Sequence, residues 1–173
     1  MKINKNEGIL FWITGISGSG KTTIGKKIHK EIKKKYGPTV MISGDDLRNI
    51  FQIKKYDFND RKKIAKNYSK FCKYLVKNNI NVIFATVSLF HEVHKKNKKI
   101  FKNYIEIFIN CKINVVKKIS KKKIYIKSEK NIWGNNLKPQ YPIKPKITIN
   151  NNFKKSINFL SKELLIKIDK ALS

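Results

Sequence analysis

Ile9-Leu10-Phe11-Trp12-Ile13-Thr14-Gly15-Ile16-Ser17-Gly18-Ser19-Gly20-Lys21-Thr22 is the stretch whose reading decides the fold. The run from Ile9 to Thr14 is continuously apolar up to its last residue, as expected of a strand covered on both faces. The residues after it match GxxxxGK[ST] in full. Glycines at those positions let the backbone turn tightly and aim its N–H groups at an anion. A helix that starts at Thr22 adds its positive amino end to the same point. That helix is predicted over 22–36, with Ile24, Ile28 and Ile32 at i+4 spacing, and Gly37-Pro38 stops it.

The alternation continues along the chain. A second strand is predicted over 39–42, a helix over 61–77, a third strand over 80–87 and a helix over 91–101. A fourth strand follows over 104–109 and a short fifth over 147–149. The helix over 61–77 places Ile64, Tyr68, Phe71, Cys72 and Leu75 on one face. The last helix, over 153–172, carries the stripe Phe153, Ile157, Leu160, Leu164 and Ile168. Residues 117–146 are rich in Lys, Asn and Pro without periodicity and read as a mobile lid followed by an extended loop. Strands alternating with helices imply a P-loop NTPase-type α/β fold, a parallel sheet flanked by helices in three layers, with 1–173 as a single domain. Ligands of such sheets lie at the carboxyl ends of the strands.

Composition narrows the function classes. The net charge is +29, which raises the question of a nucleic-acid partner. Yet only Arg48 and Arg61 among the 40 basic residues are arginine, and the lysines are spread over the whole chain. This is the signature of an AT-rich coding sequence and argues against a nucleic-acid groove. Cys72 and Cys111 have no metal spacing and sit in apolar patterns, which predicts buried free thiols and a reducing, cytoplasmic setting. The most apolar stretch, 80–90, is too short to span a bilayer, so no membrane partner is expected.

The phosphate loop predicts ATP binding by Gly15, Ser17, Gly18, Ser19, Gly20, Lys21, Thr22 and Thr23, with Lys21 reaching the β- and γ-phosphates and the Thr22 hydroxyl on Mg²⁺. No DxxG or NKxD motif accompanies it, and the third strand lacks a terminal Walker-B acid. A small kinase fits better than a GTPase or motor ATPase. Gly44-Asp45-Asp46-Leu47-Arg48 follows the second strand at the edge facing the phosphate loop. Asp45 is the candidate to take a proton from an attacking hydroxyl or to orient the metal, whereas Asp46 reads as a helix N-cap or first-turn residue. In so lysine-rich a chain, Arg48 and Arg61 point to a planar fork gripping a phosphate or sulfate.

These blocks resemble the adenylylsulfate kinase family. The resemblance runs over about 11–151 and rests on the segment from Phe11 to Thr23, on Gly44 to Arg48, on Tyr56 followed by Asp60-Arg61, on Ser88, and loosely on Lys122 to Tyr125. It implies phosphorylation of the 3′-hydroxyl of adenosine 5′-phosphosulfate by MgATP. It also implies roles: Asp45 as the catalytic aspartate and metal ligand, Arg48 and Arg61 holding the acceptor nucleotide, Tyr56 stacking on its base, Ser88 in the acceptor loop and Lys122 in the lid. The departures are local. The family's Asp-Gly-Asp reads Ser43-Gly44-Asp45, its asparagine three residues after the Asp-Arg arginine is Ile64, and Ser-Pro-Tyr-Arg reads Ser88-Leu89-Phe90-His91. The lid's Arg-Asp-Pro-Lys-Gly-Leu-Tyr begins at Ile119. The donor loop is intact and the acceptor shell has drifted.

Two rival readings follow from the same residues. One is a relative acting on another 5′-modified nucleotide, for instance in surface-polysaccharide modification. The other, from a different class, is a nucleic-acid-binding protein with a vestigial ATP site. The partner expected is a small-molecule nucleotide, and a homodimer is compatible with the sequence. Lys21→Ala removes the charge aimed at the β- and γ-phosphates, so turnover should fall by several orders of magnitude while circular dichroism stays native. Turnover within about tenfold of the parent, a barrier change of little more than 1 kcal/mol, would remove the loop from this role.

Overall fold

The structure, a computed structural model, describes residues 4, 6–54, 57–119 and 137–173. Its elements alternate: β1 (Leu10–Thr14), α1 (Lys21–Tyr36), β2 (Thr39–Ser43), α2 (Gly44–Ile50), α3 (Phe58–Lys77), β3 (Asn81–Thr86), α4 (His91–Ile100), β4 (Tyr104–Asn110), α5 (Ile113–Ile119), β5 (Ile147–Asn150) and α6 (Ile157–Leu172). The strands form one sheet in the order β2-β3-β1-β4-β5, and every neighbouring pair is parallel. This is the P-loop arrangement read from the sequence.

Alternation along each strand assigns side chains to the two faces. Phe11 and Ile13 of β1 point to a core shared with Ile24, Ile28 and Ile32 of α1 and Leu160, Leu164 and Ile168 of α6. Leu10 and Trp12 point the other way, to Tyr68 and Cys72 of α3, Val93 of α4 and Val116 of α5. Trp12 stacks on Phe84 of the adjacent strand at 5.1 Å. Each fully buried side chain of this kind contributes roughly 1.5–3 kcal/mol. Both cysteines are buried and free, and burial pushes the Cys72 thiol up.

Three expectations shift. Helix α2 begins directly after β2, where Asp46 reads as a cap or first-turn residue, but α5 was not anticipated, being too short to show a clear apolar period. The expected lid is not loop throughout, since Lys117–Ile119 close α5. Phe153 does not continue the α6 stripe. Ser156 caps α6 through its Oγ, which accepts the Phe159 N–H at 3.2 Å. Phe153 stands before that cap at φ 62 and packs in the opposite core. A serine side chain satisfies an orphan helix donor, which phenylalanine cannot do.

One buried charge cluster ties α4 to β4. Glu106 is 1% exposed and places Oε1 2.8 Å from His94 Nδ1 and Oε2 3.0 Å from Lys98 Nζ, while the Tyr104 hydroxyl donates to Oε1 at 3.2 Å. Burial pushes the Glu106 carboxyl up, but hydrogen bonding and charge from His94 and then Lys98 outweigh it and hold it below the ordinary value. A depressed carboxylate contributes stability above its unfolded pKa, and that stability is lost as pH falls through its folded pKa. Glu106→Gln should therefore cost about 1.5–3 kcal/mol at neutral pH. Its deficit against the parent should shrink as melts are taken toward about pH 4 and below, the carboxylate range.

Candidate active site at the carboxyl edge of the sheet

Because β2, β3 and β1 are parallel neighbours, their carboxyl ends finish on one edge. The register pairs Thr14 with Thr86 and Ser43 with Ala85, so the strands stop almost level. Three segments leave this edge together: the phosphate loop after β1, α2 after β2, and residues 87–91 after β3.

The phosphate loop is built by backbone. Gly20 sits at φ 92, and a Cβ there would lie 3.0 Å from Asn151 Nδ2. A Cβ on Gly15 would come within 2.6 Å of the Ile109 carbonyl oxygen, so this glycine is required by crowding alone. Lys21 opens α1 and is buried, with its Nζ donating to the Ile16 carbonyl of its own loop at 2.7 Å. Helix α1 has no side-chain N-cap and no acid in its first turn. By contrast α2, α3 and α6 are capped by Ser43, Asp57 and Ser156. An uncapped amino end beside a glycine cradle leaves N–H groups for a ligand's phosphates. The Ser19 Oγ, buried and without a hydrogen bond in the described residues, adds an unused polar atom to the cradle. Thr22 is half-buried and Thr23 exposed in the same helical turn.

The residues expected on the acceptor side begin with those on α2. Ser43 ends β2, and its Oγ accepts the Asp46 N–H at 3.1 Å, while Asp46 Oδ2 accepts the Ser43 N–H at 2.7 Å. This reciprocal capping box explains serine at 43 and makes Asp46 a first-turn structural residue, as its sequence position suggested. Asp45 stands exposed beside it. The helix start is pinned from below: the Tyr68 hydroxyl donates to the Gly44 carbonyl at 3.0 Å, and a Cβ on Gly44 would meet Thr86 Oγ1 at 3.2 Å. Arg48, half-buried on α2, donates from Nη1 to the Ile53 carbonyl at 3.3 Å. Arg61 is half-buried in the first turn of α3. Tyr56 and Lys122 lie outside the described residues.

Ser88 is buried with its Oγ 2.9 Å from Thr86 Oγ1. Leu89 and Phe90 turn into the core, and the Phe58 ring packs edge-on against Phe90 at 5.3 Å. His91 is tied to a segment that sequence reasoning left as extended loop. Its N–H donates to Gln140 Oε1 at 2.8 Å, its Nε2 lies 2.9 Å from the Tyr141 carbonyl, and the Gln140 N–H donates back to Leu89 at 3.2 Å. Asn151 was also missed; it follows β5 and contacts the phosphate loop. No local motif marks Gln140, Tyr141 or Asn151, because each matters only through contacts distant in sequence.

Residues 7–150 match the family described as adenylylsulphate kinase. The chain belongs to the adenylylsulfate kinase family. It is 32% identical to the cytidine diphosphoramidate kinase of Campylobacter jejuni over 94% of this chain and 99% of that one. It is 30% identical to an adenylyl-sulfate kinase of Clostridium acetobutylicum over 86% of this chain and 77% of that one. In structure it resembles the Mycobacterium tuberculosis APS kinase CysC in complex with AMPPNP and APS, with a TM-score of 0.83, 20% identity, and 94% and 98% of the two chains covered. The chain is thus a nucleotide-binding, ATP-using phosphotransferase with a hydroxyl acceptor. The names of these two relatives specify different substrates, cytidine diphosphoramidate and adenylyl sulfate.

The capping box separates the two neighbouring aspartates experimentally. Asp46→Ala should cost about 1 kcal/mol, seen as a melting-temperature drop of roughly 2–4 °C, while the KM for ATP stays at the parent value.

Proposed function

We propose that this kinase transfers the γ-phosphoryl group of ATP to the 3′-hydroxyl of a nucleoside whose 5′ phosphate carries a sulfate or an amidated phosphate. The observation that carries the reading is the uncapped, glycine-led amino end of α1 at the carboxyl edge of the sheet, the edge where α2 also begins with its Ser43–Asp46 capping box. One pole of the site is open to phosphates, and the other displays Asp45 and Arg48.

In this reading the loop N–H groups and Lys21 hold the β- and γ-phosphates, with Ser17, Gly18, Ser19 and Gly20 forming the cradle. Among the described residues no three His, Cys, Asp or Glu side chains converge on a metal, so Mg²⁺ would arrive on the phosphate oxygens. Thr22 and Asp45 would hold it, and it would neutralise charge on the transferring group. The Asp45 carboxylate accepts the proton of the 3′-hydroxyl as that oxygen attacks. Arg48 and Arg61 grip the 5′ group through their planar forks, Tyr56 stacks on the base, Ser88 lines the acceptor loop and Lys122 covers the phosphates. Two buried free thiols suit a reducing cytoplasm.

Adenylylsulfate is the acceptor that the family resemblance implies. A second reading, cytidine diphosphoramidate, is favoured by the residues of the acceptor loop. An amide presents N–H donors where a sulfate presents only acceptors. A guanidinium cannot accept such a bond, whereas a serine hydroxyl and a neutral imidazole can. His91, which stands where the family pattern has an arginine, is a residue of that kind. The Tyr141 carbonyl only accepts, so the proton of the neutral His91 ring sits on Nε2 and leaves Nδ1 as an acceptor.

The test is product formation from MgATP with adenylylsulfate and cytidine diphosphoramidate in parallel. Higher kcat/KM for the diphosphoramidate supports the second reading, and higher kcat/KM for adenylylsulfate the first. No product from either overturns the acceptor class. With whichever acceptor works, Asp45→Asn should lower kcat by roughly 10²–10⁴-fold with ATP binding nearly unchanged. Arg48→Lys and Arg61→Lys should each raise the acceptor KM by roughly ten- to a hundredfold, about 1.5–3 kcal/mol, and spare the KM for ATP.

A further inference from the structure

Asn151 lies on the turn after β5, is 2% exposed, and bonds one neighbour on its own turn and two far away in sequence. Its backbone N–H donates to the Asn110 carbonyl at 2.9 Å, which extends the β4–β5 ladder beyond the Asn110–Asn150 pair. Its Oδ1 accepts the Phe153 N–H at 3.0 Å, and its Nδ2 donates to the Ser19 carbonyl at 3.0 Å. The amide orientation is settled by these partners, since a backbone N–H only donates and a carbonyl only accepts.

The contact with Ser19 has a consequence for its neighbour. The peptide joining Ser19 to Gly20 is trans and planar, so its C=O and N–H point in opposite directions. Holding the Ser19 carbonyl against Asn151 turns the Gly20 N–H the other way, away from β5. The same Nδ2 sits 3.0 Å from where a Gly20 Cβ would be, so the side chain packs under Gly20 as well as bonding beside it. Glycine at φ 92 has wide torsional freedom of its own and needs such a restraint.

We infer that Asn151 is a positioning residue for phosphoryl transfer: its side-chain amide holds the Ser19 carbonyl outward and so orients the Gly20 N–H into the phosphate cradle. The inference rests on the reading of residues 15–22 as the ATP phosphate site. Asn152 serves as an internal control. It lies next in the chain and also bonds the turn, accepting the Lys154 N–H at 3.0 Å, but it is exposed.

The experiment compares Asn151→Asp, Asn151→Leu and Asn152→Ala with the parent by steady-state kinetics in both substrates, ATP calorimetry and thermal melts. Asp keeps the acceptor for Phe153 and loses the donor to Ser19; Leu keeps the size without adding a charge near the phosphates. Both should raise the KM and Kd for ATP by roughly ten- to a hundredfold and leave the acceptor KM unchanged, with Asn152→Ala at the parent value. Folded Asn151 variants that bind ATP within about twofold of the parent, a difference near RT ln 2, would overturn the inference, even if they melt lower or yield less active protein. Should neither variant fold, the unmodified protein decides the matter by NMR. The Asn151 side-chain NH₂ should exchange slowly and shift on adding inorganic tripolyphosphate, whereas that of Asn152 should not. An Asn151 NH₂ unmoved by bound tripolyphosphate overturns the inference. A parent that binds neither ATP nor tripolyphosphate removes the phosphate-loop reading itself, and the role of Asn151 with it.

Discussion

A helix leaves its first N–H groups without partners inside the helix, and something must satisfy them. In α2, α3 and α6 a serine or aspartate side chain does so. In α1 the preceding residue is Gly20, which has no side chain to offer, and the turn before it is shaped by further glycines. The rest of the molecule accommodates that open end. Strand β1 is buried on both faces, so the loop leaves from a rigid edge. The Ile109 carbonyl presses close enough to Gly15 to exclude any side chain, and Asn151 braces the other end of the loop. A site made of backbone tolerates little change, because each peptide is held by sterics.

The acceptor pole follows a different logic. In the proposed reading its groups are side chains on the short helix α2, the start of α3 and the turn after β3, and such groups can be exchanged one at a time. What must be kept there is the seat of α2. Tyr68, Gly44 and Thr86 fit closely, with a Cβ on Gly44 coming within 3.2 Å of Thr86 Oγ1, and the Ser43–Asp46 box closes the helix start. Serine in place of the family's first aspartate keeps the cap. Relatives within this family carry names that specify different acceptors, adenylyl-sulfate and cytidine diphosphoramidate. In residues 88–91, Leu89 and Phe90 are core residues and His91 is bonded to the chain at 140–141.

Much of this was legible in the linear chain. The apolar run of β1, the complete GxxxxGK[ST] loop and the i+4 isoleucines of α1 are local patterns, each set by contacts within a few residues or by burial on both faces. They determined the fold class and pointed to the proposed donor pole. The pairing of Asp46 with Ser43 is also local, spanning one helical turn. Tertiary structure alone decided the remainder. The start of α6 moved from Phe153 to Ile157 because the Asn151 and Asn152 side chains hold a turn that the apolar stripe conceals. Gln140, Tyr141 and Asn151 reached the site through contacts with residues 49 to 132 positions away, and no periodicity registers bonds of that span. Glycine spacing points to a phosphate-binding loop; in the reading proposed above, the direction of each N–H within it depends on what packs against the carbonyl behind.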